Sequence, residues 1–240
     1  MYLSRVALEQ RSRLVRRDIS DCHKLHSRVM SAFPDLPDTQ NARAELGVLY
    51  RLDLNLRNQQ SILLVQSRDM PDWSVLPHGY VATTINSLAN PAIKPISKAW
   101  DSISRSDILR FRLQGNTSKR IHKNNPQVTD GKISAGKRVA LLHENDQIDW
   151  LHRKGQLFGF EVLSVQANSK VPNLSTSTAS KIHGQRTNTG NAVQRISFGS
   201  VTFEGVLRIK DRELFRKGLE VGIGPGKAYG FGLLSVAKAS

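Results

Sequence analysis

The chain holds a single cysteine, Cys22, in 240 residues. That count excludes an internal disulfide and makes a reducing compartment, the cytoplasm, the expected location. Long apolar runs are missing too. No stretch approaches the roughly 18 residues of a membrane span, so no membrane partner is expected. The opening Met1-Tyr-Leu-Ser-Arg-Val6 has neither the charged lead nor the apolar segment of a secretory signal. Aromatics make up only 6 % of residues, too few for a platform on which successive single-stranded bases stack. Acidic residues are also scarce: 20 Asp+Glu against 35 Lys+Arg leave a formal charge of +15. Nucleic acid is the default partner for such a charge, with an acidic membrane surface or an acidic protein as alternatives.

Glycine, by contrast, is concentrated. Gly222-Ile-Gly-Pro-Gly-Lys-Ala-Tyr-Gly-Phe-Gly232 places five glycines in eleven residues near the end of the chain, with Lys227 in their midst. Such a run folds tightly and can turn successive N–H groups toward an anion. The ordinary nucleotide motifs fail here. A Walker loop needs glycine where Val221 stands and Ser or Thr where Ala228 stands, and a dinucleotide fingerprint needs glycine at Lys227 or Tyr229. The loop therefore reads either as a backbone contact to a phosphate polymer, through Gly224, Gly226 and Lys227, or as a structural turn.

The periodicities predict an α+β fold. Tyr2–Leu8 reads as a strand, followed by a basic loop carrying Arg11, Arg13, Arg16 and Arg17. Ser20 is the expected N-cap of a helix that Pro34 stops near Phe33. Its apolar stripe is Cys22, Leu25, Val29 and Phe33. His26 lies about 50° from the centre of that stripe and His23 about 110°, so His26 is expected at the core border and His23 in the open. Strands follow at 47–54 and 62–66, and Asp72–Leu76 reads as the opening of a second helix. The order strand, helix, strand, strand suggests a ferredoxin-like βαββαβ unit over residues 1–84. Residues 85–99, with Pro91 and Pro95, read as a linker.

A second unit, residues 100–240, begins with Ile108-Leu-Arg-Phe-Arg-Leu-Gln114, whose Leu109, Phe111 and Leu113 face inward. Residues 144–157 read as a helix with Ile148 and Leu151 inward, and 160–165 and 196–209 as strands. Between them, Gln166–Asn191 is rich in Ser, Thr, Asn and Gly, and carries Lys170, Lys181 and Arg186. It is too long for an ordinary connection, so it is either a basic hairpin or a segment disordered without a ligand.

Taken in order, several segments resemble the CasE family, the CRISPR-RNA-processing endoribonuclease subunits of type I-E Cascade. They are Met1–Val6, Arg16-Arg-Asp-Ile19, the helix carrying His26, Leu64-Val-Gln-Ser67, Pro71–Leu76, Leu109–Arg120, Phe203–Leu207 and the terminal glycine loop. The resemblance implies two tandem ferredoxin-like domains and a reaction needing neither metal nor cofactor. In it a 2′-hydroxyl attacks the adjacent phosphate, leaving a 2′,3′-cyclic phosphate and a 5′-hydroxyl. The implied partners are a CRISPR repeat stem-loop RNA and the other Cascade subunits.

Histidine suits the two proton transfers because its ordinary pKa lies near neutrality. The resemblance puts His26 on the family's catalytic histidine, and His23 where the family usually has tyrosine. Residues three apart share a helix face, so both can reach one phosphate. The bland alternative for His26 is a satisfied histidine at a core border. A metal site built from Cys22, His23 and His26 is disfavoured, since Cys22 points into the apolar stripe and no second cluster has zinc spacing. For binding, Arg13, Arg16, Arg17 and Arg28 stand near the catalytic helix. Arg110, Arg112, Lys119, Arg120, Lys137 and Arg138 form a second candidate track, by phosphate and shape contacts suited to A-form RNA. A catalytically weak hairpin-binding subunit of the same fold, or an unrelated basic RNA-binding protein, are the alternative readings.

Overall fold

In the computed structural model, β1 (Tyr2–Leu8) buries Ser4, Val6 and Leu8 on one face and the small Ala7 on the other, as a strand inside a sheet can. The structure describes all residues except 38, 40, 56–59, 84–88, 121–127, 130–131, 134–137, 164–173, 177–179, 188–192 and 240. Three helices follow β1: α1 (Arg13–Ile19), α2 (Cys22–Met30) and the single turn α3 (Ala42–Glu45). Then come β2 (Leu49–Asn55), β3 (Gln60–Ser67) and β4 (Ala92–Pro95). The sheet orders its strands β2-β3-β1-β4, with all neighbours antiparallel. That is the ferredoxin-like order.

Several expectations need correction here. The supposed basic loop is helix α1, whose Arg16 and Arg17 occupy the last turn, where the helix dipole favours cations. Helix α2 is capped by Asp21 rather than Ser20. The Asp21 carboxylate accepts from the N–H groups of His23 (2.9 Å) and Lys24 (3.4 Å). Among its described residues the second crossover has no α-helix: a 3₁₀ turn, Trp73–Val75, forms where one was expected. Residues 85–99, read as a linker, contain β4 and the first residues of helix α4 (Ser97–Asp101). A four-residue strand bracketed by Pro91 and Pro95 is too short to show a period.

The second unit completes the pattern. Its elements are β5 (Ile108–Gly115), β6 (Ser118–Arg120), β7 (Val128–Thr129), β8 (Lys132–Ile133), β9 (Arg138–Ala140), α5 (Glu144–Leu157), β10 (Phe160–Val162), β11 (Leu174–Thr176), β12 (Ser180–Thr187), β13 (Val193–Ile209), α6 (Arg212–Val221) and β14 (Leu234–Lys238). The sheet order β10-β13-β5-β14 again matches the ferredoxin-like arrangement, with α5 and α6 as its two crossovers. The alternation expected along β5 holds, with Leu109, Phe111 and Leu113 buried and Arg110 and Arg112 exposed. On α5, Trp150 and Leu151 are buried, while Ile148 is only half-buried. Within the Ser/Thr/Asn-rich stretch, β11 and β12 pair antiparallel with the long β13, so its described part is a β-ribbon.

Each unit has its own core, and polar groups join the two. Arg51 of β2, only 4 % exposed, forms a two-pronged pair with Asp53 at 2.8 and 3.0 Å. Its Nη1 donates across the seam to Ser235 Oγ (3.0 Å) and to the carbonyl oxygens of Arg112 (3.3 Å) and Leu233 (3.5 Å). Arg112 joins this seam through Asp53 (3.6 Å) and pairs with Glu204 as well. Gln66 Nε2 donates to Leu219 O at 2.8 Å. Removing Arg51 strands a partly buried carboxylate and several acceptors. Arg51→Met should therefore cost about 3 kcal/mol in denaturant unfolding. A loss below about 1 kcal/mol would mean the pair behaves like a surface bridge.

Candidate active site

The seam between the two units is also where the histidines stand. Helix α2 presents His23 and His26 from the first unit. The glycine loop between α6 and β14 packs against that helix from the second unit, and strand β12 runs alongside. Tyr50, buried on β2, ties these pieces together. Its hydroxyl donates to the Ala228 carbonyl at 2.8 Å, and its ring lies 6.4 Å from that of His26, with the two planes 15° apart. Tyr229 meets His26 edge-on at 6.2 Å and stacks in turn on Phe198.

This packing desolvates the imidazole. Burial, reinforced by the neighbouring charges of His23 and Arg43, pushes the His26 pKa from its ordinary 6.5 down to about 4. The ring is neutral at physiological pH, as a proton acceptor must be. In both histidines Nδ1 is buried without a hydrogen-bond partner, so Nε2 is the nitrogen left for a substrate. Both rings are partly buried. His23, expected in the open, is part-buried on a helix that packs near β12 and the glycine turn. Cys22 behaves differently: burial, then the Asp21 carboxylate, push its thiol up to about 11. It stays protonated in the core, unsuited to ligate a metal.

His26 lines a cleft of about 800 Å³ with Met30, Phe33, Asp35, Arg43 and Ala228. A second, open cleft of about 460 Å³ is lined by Lys119, Arg138, Arg153, Lys154, Gly224, Pro225 and Lys227. Burial lowers the pKa of Arg43, Lys154 and Lys227. Lys227 feels both Arg43 on one side and Lys154 on the other, so the cations run from one cleft into the next. None of these three has a carboxylate partner among the described residues.

The remaining expected site residues are scattered. Arg13, Arg16 and Arg17 are exposed on α1 and line neither cleft. Arg17 (3.0 Å) and Arg28 (2.9 Å) both pair with the buried Asp18, which also accepts from the Tyr80 hydroxyl at 3.1 Å. Arg28 lies over the Tyr80 ring, so it is anchored rather than solvated. Arg110 is exposed on β5 and Arg112 is drawn into the seam. Lys119 and Arg138 reach the second cleft, while Arg120 stands exposed beside them on β6. Lys137 lies outside the described residues. In the glycine loop, Ile223 N–H donates to Gly232 O (2.9 Å) and Tyr229 N–H to Gly226 O (2.8 Å), closing the loop on itself. Gly224 and Gly230 have positive φ, and a Cβ on Gly224 would stand 2.7 Å from the Trp150 ring. That glycine is needed for close packing.

Sequence reasoning missed Arg43, Tyr50, Tyr229, Arg153 and Lys154. Tyr50 read as an ordinary alternating core residue. Arg153 and Lys154 stand on the predicted helix 144–157 with no motif around them. Only the aromatic inside the glycine run, Tyr229, carried a usable local signal.

A family model described as CRISPR associated protein matches residues 1–238. The CRISPR-associated endoribonuclease Cse3 of Thermus thermophilus is 32 % identical over 238 residues, spanning 99 % of this chain and 100 % of the relative. The chain belongs to the CasE family. The Cascade subunit CasE of Escherichia coli is 29 % identical over 238 residues, with 99 % of each covered. Among solved structures, Cse3 bound to 19 nt RNA superposes with a TM-score of 0.77 at 30 % identity, covering 99 % of this chain and 100 % of that one. The CRISPR-associated protein Cas6e of Escherichia coli superposes with a TM-score of 0.57 at 25 % identity over 100 % of both chains. Among the described residues of this CasE-family chain, no helix is long and apolar enough to cross a membrane.

The desolvated His26 has a pH signature. Its folded pKa is depressed, so the unfolded chain takes up the proton first as pH falls. The stability tied to the neutral ring is complete above pH 6.5 and drains away toward pH 4. An NMR titration of the free protein should place the His26 midpoint near 4, whereas a midpoint near 6.5 would show an imidazole still in water.

Proposed function

We propose that the chain is an endoribonuclease that cuts precursor CRISPR RNA at the base of the repeat stem-loop, without a metal, and stays bound to the hairpin within a Cascade assembly in the cytoplasm. The observation carrying this reading is the neutral, desolvated His26 at the head of a run of half-buried cations that lack carboxylate partners. Unpaired cations held partly out of water fit a polyanion. A histidine beside them fits proton transfer at one of its phosphates. The names of the relatives agree: one is an endoribonuclease solved with RNA bound, and another is a Cascade subunit.

In this reading the 2′-hydroxyl before the cut loses its proton to His26 Nε2, and its oxygen bonds to phosphorus. The P–O5′ bond breaks, and the departing oxygen takes up a proton, leaving a 2′,3′-cyclic phosphate and a 5′-hydroxyl. His23, three residues before His26 on the same helix face, can reach the same phosphate. The neutral His26 meets the base's requirement before substrate arrives. The phosphate's negative charge then favours the imidazolium formed during the step.

A second reading, a hairpin-binding subunit with weak cleavage, draws on His23 standing where the family usually has tyrosine. One experiment separates them. His26→Ala should slow single-turnover cleavage of a repeat hairpin by at least about 10²-fold while leaving hairpin affinity unchanged. Cleavage at the parental rate contradicts the catalytic assignment. Tight binding without cutting by the parent chain favours the second reading.

A further inference from the structure

Arg43 sits on the one-turn helix α3 and lines the same cleft as His26 and Ala228. Its Nη1 donates to the Val48 carbonyl at 2.9 Å, which pins one arm of the guanidinium. No other hydrogen bond and no carboxylate partner hold it among the described residues, although Asp35 lines the same cleft. The pattern differs from that of the buried Arg51 and the part-buried Arg28. Arg51 is saturated by Asp53 and the seam acceptors, and Arg28 is locked to Asp18. A guanidinium that is desolvated, held by one arm and left without an anion is costly unless a ligand supplies the negative charge.

Resting on the reading above, we infer that Arg43 is a catalytic residue that grips the non-bridging oxygens of the scissile phosphate as negative charge builds up in the transition state. The guanidinium carries several N–H donors in a rigid plane, so a pinned Nη1 still leaves donors free for a phosphate. Preorganised donors of this kind act on the transition state more than on the ground state. Lys227 is the rival cation, but it lines the second cleft rather than the one holding His26. Arg43 is near enough to His26 for its charge to help keep the imidazole neutral.

The test is single-turnover cleavage of a repeat hairpin by the parent chain, Arg43→Ala, Arg43→Lys and His26→Ala. Binding to the same hairpin with a 2′-deoxy nucleotide before the cut is measured in parallel. Arg43→Ala should lose about 10²-fold in rate, while affinity for the deoxy hairpin falls by much less than the rate. Arg43→Lys, which keeps the charge but not the fork, should fall between the two. Added guanidinium should restore part of the Arg43→Ala rate, beyond the effect of sodium at equal ionic strength. A merely structural role through Val48 would lower the melting temperature and resist rescue, and that outcome overturns the proposal. Parental rates in Arg43→Ala with a dead His26→Ala overturn it alone. Full activity in His26→Ala overturns the underlying site reading and this inference with it.

Discussion

Tyr50 is the constraint on which the rest of the site depends. It is a strand residue of the first unit whose hydroxyl donates to a carbonyl in the terminal loop of the second, while its ring lies beside His26. One side chain thus docks the glycine loop, brings Tyr229 against the imidazole and excludes water from it. The loop can come so close only because its turns use positive-φ glycines with no Cβ to obstruct the packing, as at Gly230 beside the Tyr50 ring. The depressed His26 pKa follows from this packing rather than from any one ionic partner.

The cations of the molecule divide by whether the fold satisfies them. Arg51 is buried and Arg28 part-buried, but they are matched by Asp53 and Asp18, and they hold the architecture. Arg43, Lys227 and Lys154 are partly withdrawn from water without a carboxylate, and they run from the histidine cleft into the second cleft. The net charge of +15 marks a polyanion binder but does not distinguish these groups. Their local pairing does.

Much of the frame was legible from side-chain period alone. β5 alternates with apolar Leu109, Phe111 and Leu113 on one face, and α2 shows its stripe with His26 at the border. Elements too short for a period were not legible. β4 spans four residues between prolines, and the second crossover of the first unit is a 3₁₀ turn where a helix was expected. The glycine loop was visible as composition, but its packing was not, since that depends on Trp150 within its own unit and Tyr50 across the seam, both far away in sequence. Arg43 left no local trace. Its contact with Val48, five residues on, is local and carries no motif, and only folding brings Arg43 to the cleft of His26.

Nucleophilic attack by a 2′-hydroxyl, assisted by side chains alone, is the core of the account. The most direct test is cleavage of a labelled CRISPR-repeat hairpin in EDTA, beside the same hairpin carrying a single 2′-deoxy nucleotide before the cut. The account predicts an unimpaired cut in the chelator, a 2′,3′-cyclic phosphate on the product, and no cut of the deoxy hairpin. Cleavage that stops in EDTA, or that proceeds on the deoxy substrate, contradicts it.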